Sequence, residues 1–353
     1  MSQLETLVDR ATNSELFTAP RLGPDLDRFL TQHGERMREI AGRAFAAGTK
    51  TAYFVGSGGS WSSMYSGKYL CDRLTTLAAD VMLSYELVWR TPRRLGPDSI
   101  VFVASYSGGT EDSLAALRHA KQAGARTVAL VRSADTVIGR EADECIAYDS
   151  PALYALPMAA VTLFALEWAR LEGNTAAAEI GEGMQRLPEL IAGSYESDRE
   201  RGEALAREYL PAQILYCVGS GPLYGLAYKF ALTVFMENIR THGSIIESAE
   251  FRHGPAEMLE RQRPDMAFLL GTDESRALTE RSLDVARTRG AKTFVFDAAS
   301  YPGLHPLLSP FVLKVPLQWF VVYSALLRGI DDLDERVLMG RNVLAEGGEA
   351  TWP

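Results

Sequence analysis

With 353 residues, 47% of them apolar and 23% charged, the chain is long enough for two globular domains of ordinary composition. A formal net charge of −9 argues against nucleic acid or an anionic membrane as the main partner, yet permits an anionic metabolite in a pocket of opposite local field. Three scattered cysteines, Cys71, Cys145 and Cys217, read as reduced core residues of a cytoplasmic protein, and no clustered Cys/His set supports a metal site.

The polar start, Met1 to Thr6, lacks a signal-peptide pattern. No apolar run is expected to reach the ~18 residues that span a bilayer. Residues 1–47 are expected to be helical, since Leu26–Leu30 and Met37–Ile40 space their apolar side chains at helical period. A strand follows at Thr51–Val55 and ends in Gly56-Ser57-Gly58-Gly59-Ser60, with a helix from about Trp61 to Leu77. Further strands are expected at Val81–Tyr85, Ser99–Ala104, Arg126–Val131 and Glu144–Tyr148. The third of these five strands runs into Ser105-Tyr106-Ser107-Gly108-Gly109-Thr110 and then a helix.

The pattern then repeats. Ile214–Val218 with Gly219-Ser220-Gly221 mirrors Tyr53-Phe54-Val55-Gly56-Ser57-Gly58, and each precedes a long helix. Met266–Leu270, Thr293–Phe296 and Phe311–Val315 are expected to supply the remaining strands. The expected organisation is an N-terminal helical segment (1–47), a first α/β domain (48–172), a helical linker (173–208), a second α/β domain (209–330) and a tail (331–353). Apolar strands alternating with helices imply parallel sheets covered by helices on both faces.

Ser105, Ser107 and Thr110 follow a parallel strand and open a helix, where amides and hydroxyls can converge on an anion. Ser57, Gly58 and Ser60 form a second such loop at the neighbouring strand end. A plain helix cap by Thr110 is the competing explanation. The equivalent second-half stretch, Thr272-Asp273-Glu274, is acidic and should repel phosphate, so one phosphate site per chain is expected. Gly-x-x-x-x-Gly-Lys-Ser/Thr is missing, and Trp61 occupies the last position of a would-be Gly-x-Gly-x-x-Gly, which disfavours nucleotide loops of either type.

Glu237 lies sixteen residues before His253, which precedes Gly254-Pro255. The carboxylate sits beside apolar Val234, Phe235 and Met236, so partial desolvation is expected to suit it as a base. His242, Glu247 and Glu250 lie between and could orient the pair or bind sugar hydroxyls. Glu250 could equally form an ion pair with Arg252. His119, on a basic helix, reads as a surface residue.

At these residues the chain resembles the sugar isomerase (SIS) domain family. That family's Ser-x-Ser-Gly-x-Thr phosphate loop is matched by Ser105, Ser107, Gly108 and Thr110. The resemblance spans nearly the whole chain as two tandem SIS domains and is nearest the fructosamine (fructoselysine) 6-phosphate deglycases, through Glu247–Pro255, Leu270–Arg276, Gly303–Pro306 and Asp334–Arg336. It extends to the isomerase half of glucosamine 6-phosphate synthase. The chain departs from the synthase in having no nucleophilic cysteine after Met1 and no lysine after Lys314. It departs from the deglycases in its Gly347–Pro353 ending.

The resemblance implies Glu237 as catalytic carboxylate, His253 as catalytic histidine, His242 as a second family histidine, and Ser60, Ser105, Ser107 and Thr110 as phosphate ligands. It implies cleavage of a 6-phosphorylated ketosamine without cofactor or metal, in a homodimer whose subunits share active sites. Competing functions are a glucosamine 6-phosphate deaminase or ammonia-using isomerase, and a non-catalytic sugar-phosphate sensor.

Overall fold

The computed structural model describes residues 3–335 and the short segments Ala345–Glu346 and Glu349–Ala350, so most of the expected C-terminal tail lies outside the described residues. Two compact units emerge among the described residues: Pro24–Gln185, and residues 3–23 with Arg186–Asp334. Helices α1 (Gln3–Ala11) and α2 (Leu22–Ala46) precede the first strand.

The Pro24–Gln185 unit contains β1 (Thr51–Gly56), α3 (Gly59–Leu74), β2 (Ala78–Leu83), α4 (Ser84–Arg90), β3 (Ser99–Ser105), α5 (Glu111–Gln122), β4 (Arg126–Val131), α6 (Val137–Glu141), β5 (Glu144–Ala147) and α7 (Ala155–Leu171). The strands form one parallel sheet in the order β2-β1-β3-β4-β5. Every residue of β1 and β3 is buried, which explains why they read as unbroken apolar runs rather than alternating ones. Alternation persists in three dimensions. Phe54 and Phe102 stack 5.3 Å apart and meet Phe164 of α7 edge-on. On the opposite face Tyr53, Val55, Val101 and Val103 pack with Leu87, Leu117 and Ile138 from α4, α5 and α6. The strand expected to reach Tyr85 stops at Leu83, and Ser84 begins α4 instead.

Helix α8 (Ala176–Glu208) leads to β6 (Ile214–Val218). A continuous helical stretch follows: a 3₁₀ turn (Gly221–Leu223), α9 (Tyr224–Tyr228), a π-helical segment (Lys229–Val234) and α10 (Phe235–Glu237). Then come β7 (His242–Ile246), β8 (Asp265–Leu270), α11 (Arg276–Thr288), β9 (Lys292–Asp297) and α12 (Ser309–Leu327). The second sheet is also parallel, in the order β7-β6-β8-β9.

Phe311–Val315, expected as a strand, lies in α12. An apolar run interrupted by little besides Lys314 and Gln318 has no clear period, so its length decides, and this one continues to Leu327. The helix is apolar all round because it is enclosed: Trp319 meets Phe17 and Tyr195, and Phe320 meets Phe235, Phe294 and Phe296. The segment Pro306–Leu327 is long and apolar enough to cross a bilayer, which corrects the expectation that no run would be. Its apolar window is 89% buried, as befits a core helix.

Candidate functional site

In the Pro24–Gln185 unit the loops after β1, β2 and β3 meet at the carboxyl edge of the sheet, beside the point where strand order reverses between β1 and β3. Ser105 Oγ and Thr110 Oγ1 share a hydrogen bond of 2.8 Å, and Ser107 Oγ lies 3.2 Å from the same Thr110 hydroxyl. Thr110 occupies the N-cap of α5, yet its side chain bonds no helix amide. The capping explanation therefore does not account for its hydroxyl, which turns toward the two serines.

Gly108 shapes this loop. Its φ of +62° lies in the left-handed region, and a Cβ there would come within 2.2 Å of Thr136 Oγ1. Its carbonyl accepts from Ile138 N at 3.0 Å, tying the loop to the start of α6. Ser57 Oγ donates to Asp112 Oδ2 and lies 3.2 Å from Ser84 Oγ, which in turn meets Ser113 Oγ at 3.2 Å. Ser60 lies in the first turn of α3, its amide bonded to Ser57 O at 3.1 Å across Gly58 and Gly59. The structure thus brings Ser57, Gly58 and Ser60 to one sheet edge with Ser105, Ser107 and Thr110.

Two residues of this edge escaped sequence reasoning. Asp112 reads as a dipole-favouring acid in a helix's first turn, but it binds Ser57 across the edge. Arg132, just beyond β4, donates to Tyr106 Oη at 2.8 Å and places its guanidinium 5.4 Å from that ring, adding positive charge under the serine loop.

The equivalent edge of the second sheet is acidic. Asp273 is buried, takes Ser275 N at 2.9 Å on Oδ1 and presses against Gly221 and Gly271. Glu247 accepts from Ser220 Oγ. Arg276 is occupied: it holds Asp297 through two bonds of 2.7 and 2.9 Å, Gly271 O at 2.8 Å and Glu280 at 2.7 Å. That fork holds the Asp297 carboxyl below its usual range.

Glu237 ends the helical stretch that starts past the carboxyl end of β6, so it lies toward the opposite edge, where β7 begins at His242. It is exposed in the single chain, so the expected desolvation is not met there: Phe235 turns into the core while Met236 and Glu237 face out. His253 follows β7, in the loop at that strand's carboxyl end. The five residues of β7 span about 13 Å at ~3.3 Å per step. Strand β7 thus separates the two segments that carry Glu237 and His253, and the bonds His253 makes among the described residues do not include Glu237.

His253 is exposed, and its Nε2 accepts from Arg252 Nε at 3.3 Å. Its amide bonds Glu250 O at 2.9 Å, and Gly254 after it has φ +142°. Arg252 thus serves the imidazole, and an ion pair with Glu250 is not seen among the described residues. His242, which opens β7, and Glu250, four residues beyond its end, are both exposed.

A SIS domain model matches residues 47–168. The chain is 33% identical over 290 residues to fructoselysine 6-phosphate deglycase of Escherichia coli K12, covering 82% of this chain and 85% of that one. It is 31% identical over 273 residues to fructosamine deglycase of Bacillus subtilis 168, covering 74% and 83%. A solved structure described as a phosphosugar isomerase of Salmonella typhimurium LT2 superposes with a TM-score of 0.77 at 26% identity, covering 87% of this chain and 98% of that one. With its parallel sheets, serine loop and these relatives together, the chain belongs to the SIS-domain family, alongside fructoselysine 6-phosphate deglycase.

Proposed function

We propose that the protein is a fructosamine 6-phosphate deglycase built from two tandem SIS domains. The observation that carries this reading is the 33% identity to fructoselysine 6-phosphate deglycase across 82% of the chain. The serine loop supplies what such a substrate needs first, a place for its phosphate at the edge of the first sheet. Ser105, Ser107, Thr110, Ser57 and Ser60 with neighbouring amides would hold it, and binding there anchors the sugar remotely from the reacting carbons.

Glu237 takes a proton from C1 of the open-chain ketosamine, and His253 donates toward O5 on ring opening or O2 afterwards. The resulting enaminol is reprotonated at C2, giving an aldimine. Water adds to its carbon, and the C1–N bond breaks to release glucose 6-phosphate and the amine. Each positioned acid or base contributes ~10²–10⁴-fold. Exposed His242 and Glu250 would contact sugar or aglycone.

Because β7 separates the segments that carry Glu237 and His253, the complete site is proposed to form between two copies, each supplying one of the pair. The exposed Leu232 and Met236 beside Glu237 favour such a contact. A cytoplasmic location fits the three free cysteines. The test is a panel of fructose-amino-acid 6-phosphates, read by release of glucose 6-phosphate and free amino acid. Release of ammonia from glucosamine 6-phosphate, with no ketosamine cleaved, would replace this reading by a deaminase.

A further inference from the structure

We propose that Asp334, acting through Leu333 and Asn238, is a positioning residue for Glu237; this rests on Glu237 being the proton acceptor. The chain leaves the helix at Glu237 through a tight corner. Asn238 N still reaches Val234 O at 2.9 Å and Thr241 N reaches Phe235 O at 3.0 Å, while Arg240 takes a left-handed φ of +50°. A non-glycine residue in that region is held by its surroundings rather than by its own preference.

One such hold is visible. Asn238 is 9% exposed, and its Nδ2 donates to Leu333 O at 3.2 Å, 95 residues away in sequence. Leu333 lies in an irregular stretch beyond α12, so its carbonyl needs fixing in turn. Asp334 provides this. Its Oδ1 accepts from Ser14 Oγ at 2.6 Å and Leu16 N at 3.1 Å, and its Oδ2 accepts from Glu15 N at 3.0 Å. Bonds to a carboxylate are the stronger kind. The 14–16 segment is anchored to α12, with Leu16 O taking Gln318 Nε2 at 3.0 Å. A continuous path therefore runs from α12 through residues 14–16, Asp334, Leu333 and Asn238 to the backbone of Glu237.

Displacement of a reacting group by about 1 Å can cost ~10²-fold in rate. Asn238→Ala and Asp334→Ala are expected to lower kcat for fructoselysine 6-phosphate cleavage by about tenfold or more, with KM changed less than about twofold. The double variant should be little worse than either single one, because both cut the same path. Asp334→Asn, which keeps an acceptor for Ser14 and Leu16, should be intermediate. Amide hydrogen exchange over 235–241 should quicken in both alanine variants while the unfolding midpoint stays near that of the parent. Parental kcat with unchanged exchange, or additive losses in the double variant, would overturn the proposal. Glu237→Gln is the separate control: if it keeps parental activity, the assignment of Glu237 fails, and the exchange measurement alone still decides whether the tether exists.

Discussion

Thr110 Oγ1 lies 2.8 Å from Ser105 Oγ across the turn between β3 and α5, and it bonds none of the amides of the helix it precedes. Its removal should therefore cost the fold little and a bound phosphate much. A hydrogen bond to a charged group is worth about 1.5–3 kcal/mol, or roughly 10–100-fold in affinity. Thr110→Ala is expected to raise KM for a 6-phosphorylated ketosamine by that factor, with the urea midpoint nearly unchanged. Isothermal titration with a non-reactive sugar phosphate checks the same number directly. A stability loss without an affinity loss would return Thr110 to a structural role.

The separation of Glu237 from His253 by the length of β7 leads to a complementation experiment. In the proposed homodimer, the Glu237→Gln and His253→Ala variants are each expected to be inactive alone. After subunit exchange, mixed dimers carry one site with both native groups, so about a quarter of parental activity should return under random reassortment, the expectation for a closed two-fold interface. Mass spectrometry of intact dimers confirms the exchange. Exchange without rescue would place both residues in the same subunit's site.

Much of the fold was legible in the sequence because buried parallel strands are short apolar runs punctuated by Gly and Ser, as at Val55-Gly56-Ser57 and Val218-Gly219-Ser220. Phe311–Val315 was not legible, since a helix enclosed on all sides has no polar face to betray its period. The environment of Glu237 was misread for a different reason. The expectation rests on its sequence neighbours Val234, Phe235 and Met236, but adjacent residues on a helix face different ways: Phe235 is buried while Met236 and Glu237 are exposed. The serine loop was legible as a composition, whereas Asp112 and Arg132 join it only through the folded sheet edge.

Lys314 gives a pH-dependent prediction. It is buried in α12, donates to Thr18 Oγ1 at 2.6 Å, and burial, with Lys229 nearby, holds it well below the ordinary lysine range. The unfolded chain keeps a lysine pKa near ~10.4, so over the window between the folded and unfolded values unfolding takes up a proton. Stability then rises with pH there, by at most ~1.4 kcal/mol per unit. Lys314→Met removes this dependence, and Thr18 retains its bond to Gln318 Oε1 at 3.2 Å. The variant should be more stable than the parent at pH 7, with the difference shrinking toward pH 10 in urea titrations. A difference independent of pH would show that Lys314 keeps its proton in the fold.

Gly243 is the position where the helical stretch that ends at Glu237 rests on the second sheet. A Cβ there would lie 1.9 Å from Ala231 O and 2.8 Å from Ala231 C, both backbone atoms, so no side-chain rotation can relieve the contact. Ala231 is in the middle of the π-helical segment, six residues before Glu237. Gly243→Ala must push that segment off β7 or bend β7 away from it. Overpacking of this kind typically costs about 1–3 kcal/mol. Because the displaced backbone leads straight to Glu237, kcat should fall together with the urea midpoint, whereas binding of a sugar phosphate by the serine loop of the other unit should persist. Gly243→Ser should behave alike, since it adds the same carbon. Parental stability in both variants would mean that β7 and the helix can part without cost, and that the close seating of Ala231 on Gly243 does not set where Glu237 stands.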